Sequence, residues 1–254
     1  MATRPMKKKG IVLPAEHGAW GLIAEPLLLG LLVAPSLGGI GVAVFSFAAF
    51  LLRTPGLRLL RARRAPAPDP HGVAVKKFSL ICAGGALSGV LLALTAAKGA
   101  WILPLMAAAP FAAWTLMEQD RGKTRTLWPE LIASVAIGAP VTSIALAGGL
   151  PAQAAWVLWL WLGLKSVTSI LFVRNQIRRF MNRPNAVGGV IMLHAGLSSL
   201  LLVLDAPTHV VVIFLLLSAR ATVLSFLPVR SPKIVGWTEV TVSLIFVLGL
   251  GLGG

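Results

Sequence analysis

Trp156-Val157-Leu158-Trp159-Leu160-Trp161-Leu162-Gly163-Leu164-Lys165-Ser166-Val167-Thr168-Ser169-Ile170-Leu171-Phe172-Val173, followed at once by Arg174-Asn175-Gln176-Ile177-Arg178-Arg179, decides the fold. An apolar run of spanning length that stops at a cluster of arginines reads as a transmembrane helix whose C-terminal end faces the cytosol. The rest of the chain repeats the pattern. Hydrophobic segments fall near 18–34, 37–52, 77–97, 100–117, 128–147, 153–173, 186–204, 208–227 and 236–253, and short turns or basic stretches separate them.

Charge orients the nine segments. Four bases precede the first (Arg4, Lys7, Lys8, Lys9) and seven follow the second (Arg53, Arg58, Arg61, Arg63, Arg64, Lys76, Lys77). Three precede the fifth (Arg121, Lys123, Arg125), four follow the sixth (Arg174, Arg178, Arg179, Arg183) and two precede the ninth (Arg230, Lys233). That places 20 of the 23 Lys and Arg residues on one side, with Lys98 on the other and Lys165 and Arg220 inside segments. Adding or removing one helix would reverse the bias beyond it, so charge supports nine spans with the N-terminus inside and the C-terminus outside.

Composition agrees. Of 254 residues, 57% are hydrophobic and 12% charged, too little polar area to cover a water-soluble surface. The net charge of +15 would point to nucleic acid in a soluble protein. Placed between apolar runs, it implies retention on the cytosolic side and contact with anionic headgroups, with no nucleic-acid partner. Cys82 is the one cysteine, so no internal disulfide or zinc cluster can form. Lys7-Lys8-Lys9 before an apolar stretch resembles a signal peptide, but Glu16, His17 and Glu25 interrupt it and Leu32-Val33-Ala34-Pro35 is a poor cleavage site. A retained first helix is expected. The chain therefore reads as an all-α polytopic bundle forming a single integral membrane domain over 1–254. Residues 1–16 form a cytosolic segment and 53–76 a basic, then proline-rich loop, and the location is the bacterial cytoplasmic membrane. Trp20, Trp128 and Trp237 fall at inner ends and Trp101 and Trp156 at outer ends, as interfacial rings should.

Function is sought among the buried ionisable groups. Glu25, Lys165, His194 and Arg220 lie seven or eight residues inside the cytosolic ends of their segments, roughly 11 Å at 1.5 Å per residue. Charges at such depth face a bundle interior or water. Glu130 and Glu239 lie shallower. Helical phase groups Lys165, Ser169, Gln176 and Arg179 on one face and pairs Glu130 with Ser134, His194 with Ser198 and Glu239 with Ser243. Glu25 shares a face with Gly18, Gly21 and Leu29, a small-residue stripe suited to helix contact.

The simplest arrangement is a polar cavity open to the cytosol. Its expected ligand is an amphipathic anion such as an isoprenoid or lipid phosphate, held by Lys165, Ser169, Gln176, Arg179 and Arg220. Glu16, His17, Glu25, Glu130, His194 and Glu239 would balance charge or move protons. A structural ion-pair network is the competing reading of Glu25, Lys165 and Arg220. A secondary transporter in which Glu25 and His194 relay protons is another, and a non-catalytic scaffold a third. No metal site is expected, because the histidines make no HxxxH or HExxH spacing, and no cofactor motif appears. Arg53 to Arg64 reads as a topology determinant that could also grip phosphate through Arg53, Arg58 or Arg61.

Two stretches carry a resemblance. Pro14-Ala15-Glu16-His17-Gly18-Ala19-Trp20 and Arg230-Ser231-Pro232-Lys233-Ile234-Val235-Gly236-Trp237-Thr238-Glu239 resemble the bacterial YwiC-like family of multi-pass membrane proteins. The resemblance singles out Glu16, His17, Trp20, Gly236 and Glu239 and brings no reaction with it. In topology the chain is also similar to the UbiA intramembrane prenyltransferases, whose two large cytosolic loops hold magnesium and a prenyl diphosphate through Asp-rich motifs. Here those loops read Arg53-Thr54-Pro55-Gly56-Leu57-Arg58 and Arg174-Asn175-Gln176-Ile177-Arg178, cations where the carboxylates would stand, so a phosphate would be held without the metal.

Overall fold

The computed structural model describes residues 13, 17–64, 69–122 and 126–253. The candidate Glu16 lies outside them. Every regular element among these residues is a helix: α1 (His17–Val33), α2 (Leu37–Arg64), α3 (Gly72–Ala96), α4 (Ile102–Asp120) and α5 (Leu127–Gly138). They continue as α6 (Pro140–Ala147), α7 (Ala152–Phe180), α8 (Val187–Val203), α9 (Thr208–Phe226) and α10 (Pro232–Leu252). Helices α5 and α6 are one span broken at Ala139. Pro140 has no N–H to continue the ladder, and the Ala139 N–H closes a tighter turn on Ala136 O at 3.3 Å. Among the described residues nine helical segments thus match the nine expected. Six (α2, α3, α5 with α6, α7, α9 and α10) are long and apolar enough to cross a bilayer, while α1 and α8 are shorter apolar helices. Helix α4 falls outside both sets; its C-terminal end carries Glu118, Gln119 and Asp120.

Contacts divide the chain into two compact units, 1–156 and 157–254. In the first, α2 and α3 make the most extensive helix pair. Its seam is built from small residues: a Cβ on Gly41 would sit 2.6 Å from the Ala93 backbone nitrogen, and one on Gly89 would sit 2.5 Å from that of Phe45. The two backbones touch. With no hydrophobic force between helices in lipid, such close packing is what holds them. The opposite face of α3 carries exposed Leu80, Leu87, Leu91 and Leu94 at helical spacing, a surface for acyl chains. Helix α6 is different, since all eight of its residues are buried. It packs against α1 and α2, and Thr142 Oγ1 donates to Ala155 O at 2.8 Å.

The expected stripe on α1 is only partly used. Leu29 is fully buried, but a Cβ on Gly18 or Gly21 would meet nothing within 4 Å among the described residues. Close approach occurs instead at Gly30, where a Cβ would lie 2.8 Å from Ile144 Cβ. The tryptophans also divide. Trp128 and Trp237 are exposed as interfacial rings should be, whereas Trp101 is buried and Trp20 packs against Phe50 with centroids 6.0 Å apart.

The basic loop expected over 53–76 is largely helix. Helix α2 runs past Pro55 to Arg64 because Leu and Arg favour helix and arginines suit a helix C-terminus. Its arginines are tied down: Arg58 grips Asp69 through Nε (2.6 Å) and Nη2 (3.0 Å). Arg61 Nε and Arg64 Nη1 both donate to Asp120, at 2.9 and 3.0 Å. Hydrogen bonding from Arg61 holds the Asp120 carboxyl below the usual range. Asp69 is lowered to about 2, first by the Arg58 hydrogen bond and then by the His71 N–H.

This has a pH signature. A carboxylate with a depressed pKa stabilises the fold fully above its unfolded value of about 3.9, and the contribution is lost as pH falls through the folded value. The melting-temperature gap between wild type and Asp69→Asn should therefore be constant from neutral pH to about 4 and close as pH approaches about 2. Thermal melts in detergent check this, and a gap unchanged at pH 2 would refute it.

Candidate functional site

Helix α7 presents Lys165, Phe172, Gln176 and Arg179 on one face, since steps of seven, four and three residues each return near the same angle. In the second unit that face meets α9 and α10. Lys165, 2% exposed, donates from Nζ to Ser243 Oγ at 2.7 Å and lies 5.9 Å from the Phe246 ring centroid. Four residues earlier on α10, Glu239 accepts from Arg220 Nη2 of α9. The Arg220 guanidinium stacks 4.5 Å over the Phe172 ring, a geometry that favours a cation. One turn of helix separates the two contacts, roughly 6 Å along α10. They form a ladder: Lys165 with Ser243 on the inner rung, Arg220 with Glu239 on the outer.

Toward the C-terminal end of α7, Gln176 and Arg179 serve the end of α9. Gln176 Nε2 donates to Leu224 O at 3.1 Å, and Arg179 reaches Leu224 O and Leu227 O, both at 3.2 Å. These carbonyls belong to the last turn and have no intrahelical donors, so Arg179 acts as a side-chain cap. Ser169 is half-buried on the same helix.

Between these levels is an open pocket of about 180 Å³. Phe172, Leu224, Pro228 and Val235 give it an apolar wall, and Gln176, Thr238 and Arg230 give it polar groups. Phe172 is shared: one ring walls the pocket and lies under Arg220. Thr238 is the neighbour of Glu239. The outer rung therefore stands directly behind the pocket.

His194, on α8, is buried. Its Nδ1 is 2.9 Å from Val190 O, which can only accept, so Nδ1 carries the proton and donates. Ser198 Oγ donates to His194 O and Phe214 O at 3.0 and 3.1 Å.

The first unit carries acids of its own. Glu25 is buried on α1 immediately before Pro26. Glu130 is half-buried in the first turn of α5, one turn from buried Ser134. His17 opens α1. Glu118, which the sequence reading passed over, is also buried and bonds Arg121 at 2.7 Å. Among the described residues no three His, Cys, Asp or Glu side chains lie together as a metal site would need.

Sequence reasoning missed Phe172 and Leu224, and had Arg230, Val235 and Thr238 only within the stretch that carries the family resemblance, with Arg230 also a topology marker. Phe172 was accessible by phase, being seven residues from Lys165 and four from Gln176. The others depend on which helices meet.

Broad apolar surfaces, nine helical segments among the described residues, six of them long and apolar enough to cross a bilayer, and buried polar contacts between helices define a polytopic integral membrane protein. The chain belongs to the YwiC-like protein family, whose profile it matches over residues 13–145, just over half its length. The match includes the opening Glu16-His17-Gly18-Ala19-Trp20 element and stops before the Arg230–Glu239 stretch. No curated protein and no solved structure matches the chain, so the topological likeness to UbiA prenyltransferases has no structural support.

Proposed function

We propose that the protein binds an amphipathic anion, a lipid or isoprenoid phosphate, from the cytosolic leaflet of the cytoplasmic membrane through the pocket between α7, α9 and α10. The observation that carries this reading is the shared Phe172 ring, which joins an apolar wall to a half-buried guanidinium. The phosphate would sit between Arg230 at the mouth and Arg220 behind Phe172, with the tail along the exposed apolar helix faces. Lys165 and Glu239 complete the charge balance of the ladder. Gln176 supplies orientation, and Arg179 holds the end of α9 that forms the rim.

A purely structural network would also pair Arg220 with Glu239. The pocket against that pair favours a ligand over a scaffold, since a network that only holds helices together has no need of an adjoining opening.

The test is direct. Purified protein titrated with dioctanoyl phosphatidic acid in native mass spectrometry should bind it in preference to dioctanoyl phosphatidylcholine. The double variant Arg230→Gln with Thr238→Trp, which removes the mouth cation and fills the pocket, should weaken that binding about tenfold or more. Equal binding by the folded double variant would end the proposal.

A further inference from the structure

Helix α8 begins at Val187 after the N-cap Ala186, whose backbone N–H donates to Asn175 Oδ1 at 2.8 Å. That bond fixes the Asn175 amide, because only the oxygen can accept. The Nδ2 donors on the other branch of the same planar group are therefore held at the start of α8. Asn175 is 4% exposed, and its Nδ2 has no hydrogen-bond partner. A buried amide donor left unused is costly and rare, and points to an acceptor supplied from outside the chain.

The first turn of α8 is suited to supply the rest of a site. Its leading N–H groups have no intrahelical acceptor, and the helix dipole makes that end positive. Ala186, Gly188 and Gly189 are exposed, and a Cβ on Gly188 would meet nothing within 4 Å. The backbone is thus open to a ligand. Below it, Phe172, Val190 and Ala221 pack as one buried cluster of α7, α8 and α9. Asn175 and Ala186 each lie one turn to the cytosolic side of that cluster. So does Ser225 on α9, which carries a buried hydroxyl without a partner. Arg178, in the last turn of α7, and Arg183, in the turn before α8, are exposed, and the Arg183 N–H donates to Arg178 O at 2.9 Å.

We propose that the N-terminus of α8 is a second anion site, which takes a terminal phosphate group through the N–H groups of Val187, Gly188 and Gly189 and the Nδ2 of Asn175. Arg178 and Arg183 supply positive charge at its rim. Asn175 and Gln176 are neighbours on α7 and point about 100° apart, so this site is on the α8 side of the helix and does not rest on the α9–α10 pocket. That phosphate is either the monoester headgroup of a lipid of phosphatidic-acid type or free inorganic phosphate.

Asn175→Asp is the discriminating variant. It keeps an oxygen for the Ala186 N–H, so the start of α8 stays capped, but replaces the donor with a carboxylate that repels the anion. Native mass spectrometry of the full chain with dioctanoyl phosphatidic acid should count two selectively bound lipids in the wild type and one in Asn175→Asp, with the melting temperature retained. Gly188→Leu, which covers the exposed turn, should also leave one if the first variant folds poorly. Titration with inorganic phosphate separates the sources. Phosphate binding that Asn175→Asp abolishes assigns the free anion, and lipid binding alone assigns the headgroup. Two lipids retained in both folded variants overturn this proposal while leaving the pocket reading intact. If the Arg230→Gln with Thr238→Trp variant still binds two, the pocket reading fails instead. Equal retention of phosphatidylcholine overturns both.

Discussion

Glu239→Ala is expected to destabilise the protein by about 3 kcal/mol, because it leaves the Arg220 guanidinium without its carboxylate between helices. The two side chains are 19% and 17% exposed, which places the loss at the lower end of the range for a broken buried pair. Arg220 would keep its stacking on Phe172, a weaker interaction that cannot replace a charge-assisted bond. Removing both charges should be milder than removing one. Arg220→Met with Glu239→Met is expected to recover most of the lost stability, since two flexible apolar side chains need no desolvation of ions. Thermal denaturation of the wild type and the two variants in one detergent reads the result. A single variant as stable as wild type would show that the pair contributes nothing to the fold. A double variant no better than the single would show that packing, not charge, is what the site needs. The same double variant should lose phosphatidic acid from the pocket, which separates the stabilising role of Arg220 from its binding role.

Gly89→Leu is expected to be at least as severe, at about 3 kcal/mol or more, through a wholly different cause. A Cβ at position 89 would lie 2.5 Å from Phe45 N and 2.7 Å from Gly41 O. These are backbone atoms, so no rotamer change relieves the clash and α2 must move off α3. Gly41→Leu should fail in the same way against Ala93. Gly84, on the same helix, is the control: nothing lies within 4 Å of a Cβ there, and Gly84→Ala should be neutral or stabilising by roughly 0.5 kcal/mol from helix propensity. If Gly89→Leu and Gly84→Ala melt alike, the seam is not what holds the hairpin.

The spans were legible because each rests on a local property. An apolar run of spanning length needs no partner to be recognised, and the segment read at 208–227 is observed as Thr208–Phe226. The continuation of α2 through Arg53–Arg64 was hidden because hydropathy reports what lipid accepts, while helix formation follows propensity and the distant anchors Asp69 and Asp120. In the site, the four-residue step from Glu239 to Ser243 was visible on one helix. Their partners, Arg220 and Lys165, are 19 and 78 residues away, and nothing in spacing pairs them. The glycines show the same limit. Gly18 with Gly21 and Gly38 with Gly41 look alike in the sequence, yet only the second set receives another helix. Asn175 was within a quoted stretch but unremarked, since an asparagine becomes informative only once one end of its amide is seen to be occupied and the other idle.

The backbone seam of α2 and α3 bears on how the chain is made. All of its contacts lie between Gly38 and Ala97, in two consecutive helices. Nothing synthesised later is needed to complete it. The hairpin can therefore close in the membrane while the ribosome is still producing α4, giving the remaining helices a finished surface to assemble on. A substitution at Gly41 or Gly89 would then act during biosynthesis, and the defect would appear as nascent chains degraded at the membrane before any purified protein is found less stable.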